Sequence, residues 1–388
     1  ETGRVIREDR IDLGGQTATA VGGTLERDRV AFGFDDGTVR FGRVGFEIGT
    51  VQHRSAPADV VRLNERDFLS GETIFSPVAT GDFRTIRALT SIDAPVRISD
   101  RPIVAIDYRV GGTAERPTTS FVTVDAAGVA RLSRATVQRN LMTGAETVRT
   151  ATTTLPALPE GAVVSAALLT SAGDRVVIAT DDGMLFRYDL RNPAAPVLAE
   201  RRRVLPDGVA ITALAFLNGE QTLLVGASNG AVDAFFVLQR PDAGTQDGFA
   251  LVRARVHEPQ PAAIIDISVA QRDKSMVTTD ASGGVWWRQS TSDQVLFHFA
   301  RSGSAASRSQ ALIFPRSDGV LKIDDRGVVD SWAVNHPHPE ITPGVLFGRV
   351  WYEGYDAPGF TWQSTAATDT FEEKYSLVPL VFGTLKAT

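Results

Sequence analysis

The sequence predicts an all-β fold assembled from repeated small antiparallel sheets, and three observations predict it. Six segments share one plan, in which a β-rich run meets a short polar turn ending in glycine and a second β-rich run follows: VAFGFDDGTVRFGRV, FVTVDAAGVARL, RVVIATDDGMLFRYDL, TLLVGASNGAVDAFFV, MVTTDASGGVWWRQS and VLKIDDRGVVDSWAV. Their glycines, Gly37, Gly128, Gly183, Gly230, Gly283 and Gly327, lie 91, 55, 47, 53 and 44 residues apart, and the last four intervals suit a four-stranded blade rather than a lone hairpin. Amphipathic segments of roughly 10–15 residues, which crossover helices of a parallel sheet would require, are lacking before residue 340. The reading is a β-propeller of six four-stranded antiparallel blades, with seven as the alternative, followed by a short C-terminal helical and extended segment. Radial stacking of such sheets buries both faces of each and leaves only short edges.

The elements follow in order. The chain starts Glu1-Thr2-Gly3 without a methionine, which reads as a processed or cloned start, and GRVIREDRIDL behind it is the strand expected to close the ring. Asp-Gly and Asn-Gly turns mark the hairpins because tight connections need positive φ, which glycine reaches freely and Asp or Asn tolerates. The long first interval contains RSAPADVVRLNERDFLSGETIFSPVATGDF without a glycine-turn hairpin. It is read as an insertion, about residues 52–84, on the outer strand of the first blade. Apolar runs precede the later hairpins (VSAALLTSA, AITALAFLN, AIIDISVAQ) and supply inner strands, and APVLAERRRVL is an outer strand. The predicted organisation is a propeller over residues 1–335 and a linker with a membrane-proximal segment over 336–388.

Composition narrows the function. With 388 residues, 43% hydrophobic and 22% charged, and a mean hydropathy of −0.04, the chain is globular. No run approaches the roughly 18 apolar residues of a spanning helix. The net charge of −6, with basic residues dispersed apart from Arg201-Arg202-Arg203, gives no footprint for nucleic acid. That arginine cluster is read as a solvated outer strand rather than an anion site. With no cysteine, disulfides and thiolate metal sites are excluded.

Each chemical candidate competes with a structural reading. The pairs Asp35-Asp36, Asp181-Asp182 and Asp324-Asp325 have the composition of a cation site or an acid–base pair, but they occupy turn positions that favour Asp for local hydrogen bonding. His336 and His338, in HPHP, supply at most half of a zinc shell, and the alternating prolines favour an extended linker. His53, His257 and His298 stand alone, with no triad around them. TTDASGGVWW resembles the aspartate box of sialidase-type propellers with its glycine spacing off by one; that box is structural, and at least one of Trp286 and Trp287 is expected to pack between blades. No catalytic, cofactor-binding or metal-binding residue is assigned, and the chain is not expected to be an enzyme. An alternative, a propeller hydrolase or lyase with a site at the mouth of the central channel, would show three or more carboxylates or histidines there.

The last fifty residues differ in character. TPGVLFGRVWYEGY fits a short amphipathic helix with Thr342 as cap, Pro343 in the first turn and Leu346, Val350 and Trp351 on one face. The final residues grow steadily more apolar, so that a further segment is expected after Thr388, and Tyr375 with the aromatics before it suits an interfacial belt. LFGRVWYEGYDAPGFTWQS followed by FEEKYSLVPLVFGTLKAT resembles the entry to the membrane core of the phosphate-specific ABC transporter permease, PstC type, in enlarged variants that carry a periplasmic insert. That resemblance implies a WD-repeat-like propeller on the periplasmic side of the bacterial inner membrane, beside the bilayer. The partners it implies are the rest of its own permease chain, a sister permease subunit, ATPase subunits and a periplasmic phosphate-binding protein. It implies an interaction or gating accessory to phosphate uptake and transfers no functional residue or cofactor. A free periplasmic scaffold or assembly protein is the remaining alternative.

Overall fold

The computed structural model describes residues 12–24, 28–52, 59–113, 116–139, 146–299, 309–324, 329–335, 338–365 and 370–387. Within them the chain forms a β-propeller of six blades. Blade 1 holds β1 (Ala18–Gly23), β2 (Arg29–Phe34) and β3 (Thr38–Val51), extended by β4 (Val61–Arg62), β5 (Phe68–Ser70), β6 (Thr73–Pro77) and β7 (Phe83–Ile92), with β8 (Val96–Arg97) beside β3. Blade 2 is β9 (Ile103–Thr113), β10 (Arg116–Asp125), β11 (Ala130–Arg139) and β12 (Glu146–Thr154). Blade 3 comprises β13 (Val164–Leu169), β14 (Arg175–Thr180), β15 (Met184–Asp189) and β16 (Val197–Arg203). Blade 4 comprises β17 (Ile211–Phe216), β18 (Thr222–Ala227), β19 (Val232–Gln239) and β20 (Phe249–His257). Blade 5 is formed by β21 (Ile264–Val269), β22 (Ser275–Asp280), β23 (Val285–Gln289) and β24 (Gln294–Phe299). Blade 6 shows β25 (Ser309–Ile313), β26 (Gly319–Asp324) and β27 (Val329–Ala333).

Blades 2 to 6 are antiparallel meanders, blade 1 runs in the order β1-β2-β3-β7-β6-β5-β4, and the first strands pack against one another from blade to blade around the axis. The predicted inner runs are β13, β17 and β21, and APVLAERRRVL contains the outer strand β16. Residues 3–11 of the expected ring-closing strand GRVIREDRIDL lie outside the described residues, as does the sixth turn with Gly327.

No single centre holds the apolar core; it is divided into slabs between neighbouring blades. Alternation along a strand explains this. In β14, Val176 and Ile178 face blade 2 while Val177 and Ala179 face blade 4. In β18, Leu223, Val225 and Ala227 join the slab with blade 3, and Leu224 joins the slab with blade 5. A strand buried on both faces needs an unbroken apolar run, and that is what TLLVGA supplies. Trp287 is buried with Ile313 and Val320 between blades 5 and 6, whereas Trp286, on the opposite face, stacks on His298 with ring centroids 4.1 Å apart.

The glycine of each described central turn has φ between 76° and 85°. At Gly230 a second demand is added, because a Cβ there would stand 1.9 Å from the carbonyl oxygen of Gln260 in the connection to blade 5. The turn is therefore both left-handed and pressed against its neighbour.

After blade 6 the chain forms α1 (Pro343–Phe347), a hairpin of β28 (Trp362–Gln363) and β29 (Lys374–Tyr375), and α2 (Val378–Ala387). Thr342 caps α1 by accepting from the Val345 amide at 3.1 Å. The helix is shorter than TPGVLFGRVWYEGY predicts. Gly348 ends it, Val350 forms a bridge with Gly359, and Val345 rather than Leu346 is the buried residue. A five-residue helix has too few internal hydrogen bonds to propagate through Gly348.

Candidate functional site

Three surfaces of the ring carry polar or apolar groups beyond what a core requires: the axial funnel, the outer face of blades 4 and 5, and the arm of blade 1. The funnel has a volume of about 660 Å³ and is lined by all six first strands. Two of its three acidic groups, Asp107 and Glu220, reach sideways into neighbouring blades. Asp107 in β9 accepts the Leu169 amide of blade 3 at 2.7 Å and pairs with Arg109 at 2.7 Å, and Arg109 donates to the Gly23 carbonyl of blade 1 at 3.1 Å. Burial pushes the Asp107 carboxyl up, with Arg109 and the Leu169 amide opposing that rise. Glu220, in the turn between β17 and β18, accepts from the Ser171 amide at 2.8 Å and from its hydroxyl at 2.8 Å. Ser268 accepts the Ile313 amide at 3.2 Å. Blade 1 has Gly22 beside this ring, where a Cβ would lie 2.5 Å from the Ile106 carbonyl oxygen. The polar lining thus knits the blades together. Among the described residues no three His, Asp or Glu side chains are grouped to hold a metal ion.

On blades 4 and 5 the C-terminal segment folds back as a strap. Lys274, just before β22, donates to Glu353 at 2.6 Å and to the Asn218 carbonyl. Thr222 donates to the other oxygen of Glu353, Thr291 donates to Glu372, and Glu372 accepts the Glu353 amide at 2.7 Å. Arg255 donates to the Trp351 carbonyl and stacks over Phe236 at 5.2 Å, while Trp351 meets Phe236 edge-on at 5.8 Å. Tyr352 and Lys374 are buried, with the Lys374 ammonium 4.1 Å from the Phe371 ring centroid. Burial raises the Glu353 carboxyl against the pull of Lys274, and it lowers Lys374. A cleft of about 340 Å³ remains between the strap and blade 4, bordered by Arg255, Asp293, Arg349 and Trp351. Below it His257 is buried with Nδ1 2.6 Å from Asp293, and burial lowers its pKa below the ordinary 6.5.

The arm is the third surface. Strand β3 runs on past β2, which pairs with it up to Arg43, and continues alone beside β7 to Val51. Beyond β7 come β6, β5 and β4, so the first sheet projects away from the ring. One face clusters Phe68, Phe75 and Phe83 in edge-to-face contacts of 6.3–6.5 Å. The other presents Val44, Phe46 and Ile48 in a row, 39%, 64% and 66% exposed. Sequence reasoning passed over these three, although the even-numbered spacing in VGFEIGTV is the signal of a strand with one apolar face.

Several residues singled out by sequence fall into structural roles. Asp36 accepts from the Thr38 amide and hydroxyl at 2.9 and 2.7 Å, which with Gln16 holds its carboxyl below the ordinary range. Asp182 accepts from Thr180 at 2.6 Å. Asp280 of the aspartate-box-like stretch accepts the Ser282 and Gly284 amides at 2.8 and 2.9 Å. Arg201 lies over Phe186, Arg202 donates to the Leu251 carbonyl, and Arg203 pairs with Asp182 and Asp207. His338 is exposed beside Glu340 at 3.0 Å. His53, His336 and Asp325 lie outside the described residues, and for Asp324 only the backbone is described.

No protein-family model matches the chain, and no curated protein matches it. Among solved structures it is similar to the Cps50 (Swd1) β-propeller domain of Myceliophteria thermophila, at a TM-score of 0.47 and 14% identity over 82% of this chain and 97% of that one. It is also similar to Hsv2 of Kluyveromyces lactis, at a TM-score of 0.46 and 10% identity over 84% of this chain and 77% of that one. Both likenesses are of fold alone.

These findings correct the permease resemblance. No permease model matches, and the residues that carried the likeness are committed to the ring: Trp351, Glu353 and Glu372 bond to blades 4 and 5. The aromatics expected at a bilayer interface pack on each other and on protein, Trp362 against Tyr375 and Trp351 against Phe236. The apolar end forms the ten-residue α2, and among the described residues no helix is long and apolar enough to cross a membrane. The inner-membrane location, the adjacent bilayer, the sister permease, the ATPase subunits, the phosphate-binding protein and the role in phosphate uptake fall with the resemblance that implied them.

Proposed function

We propose that this chain is a non-catalytic interaction scaffold, a propeller whose blade 1 arm presents an apolar strand to another polypeptide. The observation that carries the reading is the row Val44, Phe46 and Ile48 on the projecting part of β3. Apolar side chains gathered on an element that leaves the body of the protein mark an interaction surface far better than scattered ones do. The funnel supports the same reading from the other side. Asp107 and Glu220, two of the three acids that line it, are engaged in bonds to neighbouring blades.

Cross-linking of the whole chain in its native extract, followed by peptide mapping, tests this. Cross-links to another polypeptide should map to β3 and β7 and should vanish in a Phe46→Ser, Ile48→Ser protein that melts at the wild-type temperature. Retention of every cross-link by that protein would overturn the reading.

A further inference from the structure

The part of β3 that outruns β2 is an open sheet edge. The last bond on that side is the Val44 amide to the Asp28 carbonyl, 2.7 Å. Antiparallel strands direct the N–H and C=O of alternate residues to the same side. The amides and carbonyls of Phe46, Ile48 and Thr50 therefore point along the sheet away from β7, and among the described residues no strand pairs with them. Natural edges are ordinarily blunted by lysine, proline or an inward charge. Residues 44–51, VGFEIGTV, contain neither lysine nor proline, and their one charge, Glu47, is already held by Arg87 at 2.9 Å.

We propose that this edge is an isologous interface: two copies of the chain pair antiparallel through β3, with the two-fold axis at Ile48. The proposal rests on the scaffold reading only in taking the arm as an interaction surface. A second copy is chosen as occupant by charge and size complementarity along the strand. With Ile48 opposite Ile48 of the second copy, Phe46 faces Thr50 and Glu47 faces Gly49, so that the only charge of residues 44–51 meets a glycine, which has no side chain to crowd it. Moving the axis one residue, to Glu47, would set the two carboxylates opposite each other, which is destabilising. In the chosen register the outward groups of residues 46, 48 and 50 bond each other without remainder, and a two-fold pairing consumes both open edges and closes. An unrelated extended peptide would satisfy one edge but has no reason to match this spacing.

The absence of cysteine makes the register directly measurable. Single-cysteine proteins Phe46→Cys, Glu47→Cys, Ile48→Cys and Gly49→Cys are oxidised and run without reductant, while sedimentation equilibrium gives the mass of the wild-type chain. The expected result is a particle of twice 41.6 kDa and a disulfide-linked dimer formed most efficiently from Ile48→Cys, since opposed strand residues lie within disulfide reach. Ile48→Pro should lose the dimer and keep the wild-type circular dichroism. A wild-type monomer at high micromolar concentration would overturn the proposal, as would a dimer insensitive to Ile48→Pro or one cross-linked best at residue 47. A monomer whose contacts to another polypeptide still require Phe46 and Ile48 would sink self-pairing and leave the scaffold reading standing; loss of those contacts with the dimer intact would do the opposite.

Discussion

Blades 4 and 5 and the arm of blade 1 are made from the same kind of strand, yet their outer surfaces end differently. On blades 4 and 5 the chain returns and covers its own surface: Lys274, Arg255, Thr222 and Thr291 give hydrogen bonds to a strap whose Tyr352, Glu372 and Lys374 are buried. On blade 1 nothing described returns over Val44, Phe46 and Ile48. The difference teaches where specificity is stored. A buried polar cluster is intolerant of change because each lost partner strands a charge in a dry site, whereas an exposed apolar row costs little when altered and matters only to what docks on it.

The largest contrast is expected from Lys274→Met. It leaves Glu353 without its ammonium beside the carboxylate of Glu372, and should lower the urea unfolding free energy by about 3–5 kcal/mol. A loss below about 1 kcal/mol would mean that the strap is only loosely held.

A smaller effect sits beside it at His257. Burial depresses its pKa below 6.5, with Asp293 opposing and Arg288 and Arg255 reinforcing the fall. The neutral form is thus the one the fold prefers; its contribution is complete above pH 6.5 and is lost as pH drops through the depressed value. Stability should decline on acidification from pH 6.5 down to that depressed value, by at most ~1.4 kcal/mol per pH unit, and His257→Asn should flatten that part of the curve. Two other groups bound the window. Asp125 and Asp247 have lowered pKa values, Asp125 with Arg131 and Ser99 and Asp247 with Arg187 overcoming burial, so their contributions persist until pH falls below 3.8. Glu353 has a raised value and acts in the opposite sense, its contribution complete in acid and lost as pH rises. The difference between wild type and His257→Asn isolates the histidine.

Thr342→Ala removes the cap of α1 and should cost about 1 kcal/mol, read as faster amide exchange at Val345 with the blades unchanged. At the bottom of the scale, Phe46→Ala and Glu47→Gln on the arm should move the thermal midpoint by no more than the equivalent of about 0.5 kcal/mol. A large destabilisation by Phe46→Ala would show that the row is packed within the chain and would erase the contrast between the two regions.

Much of the ring was legible because its causes are local. Each turn needs a residue at positive φ, and each strand buried on both faces needs a continuous apolar run; Gly183 and RVVIAT, or Gly230 and TLLVGA, state those needs in the sequence itself. The insertion interval was visible as a gap, but its strands were not, since β4 and β5 are two and three residues long and carry no period of their own. The strap was misread for a related reason. Its aromatics and carboxylates look the same in a one-dimensional reading whether they meet lipid headgroups or protein, and Glu353 meets Thr222 across 131 positions.

By itself, then, the chain of letters determined what depends on neighbours in sequence: the hairpins, the blade period and the all-β class. Only the folded ring decided which surfaces are covered and which stay open. It brought Lys274 to Glu353, Glu220 to Ser171 and left Phe46 and Ile48 bare, because burial is set by the arrival of segments distant along the chain, and no local pattern encodes where a distant segment will land.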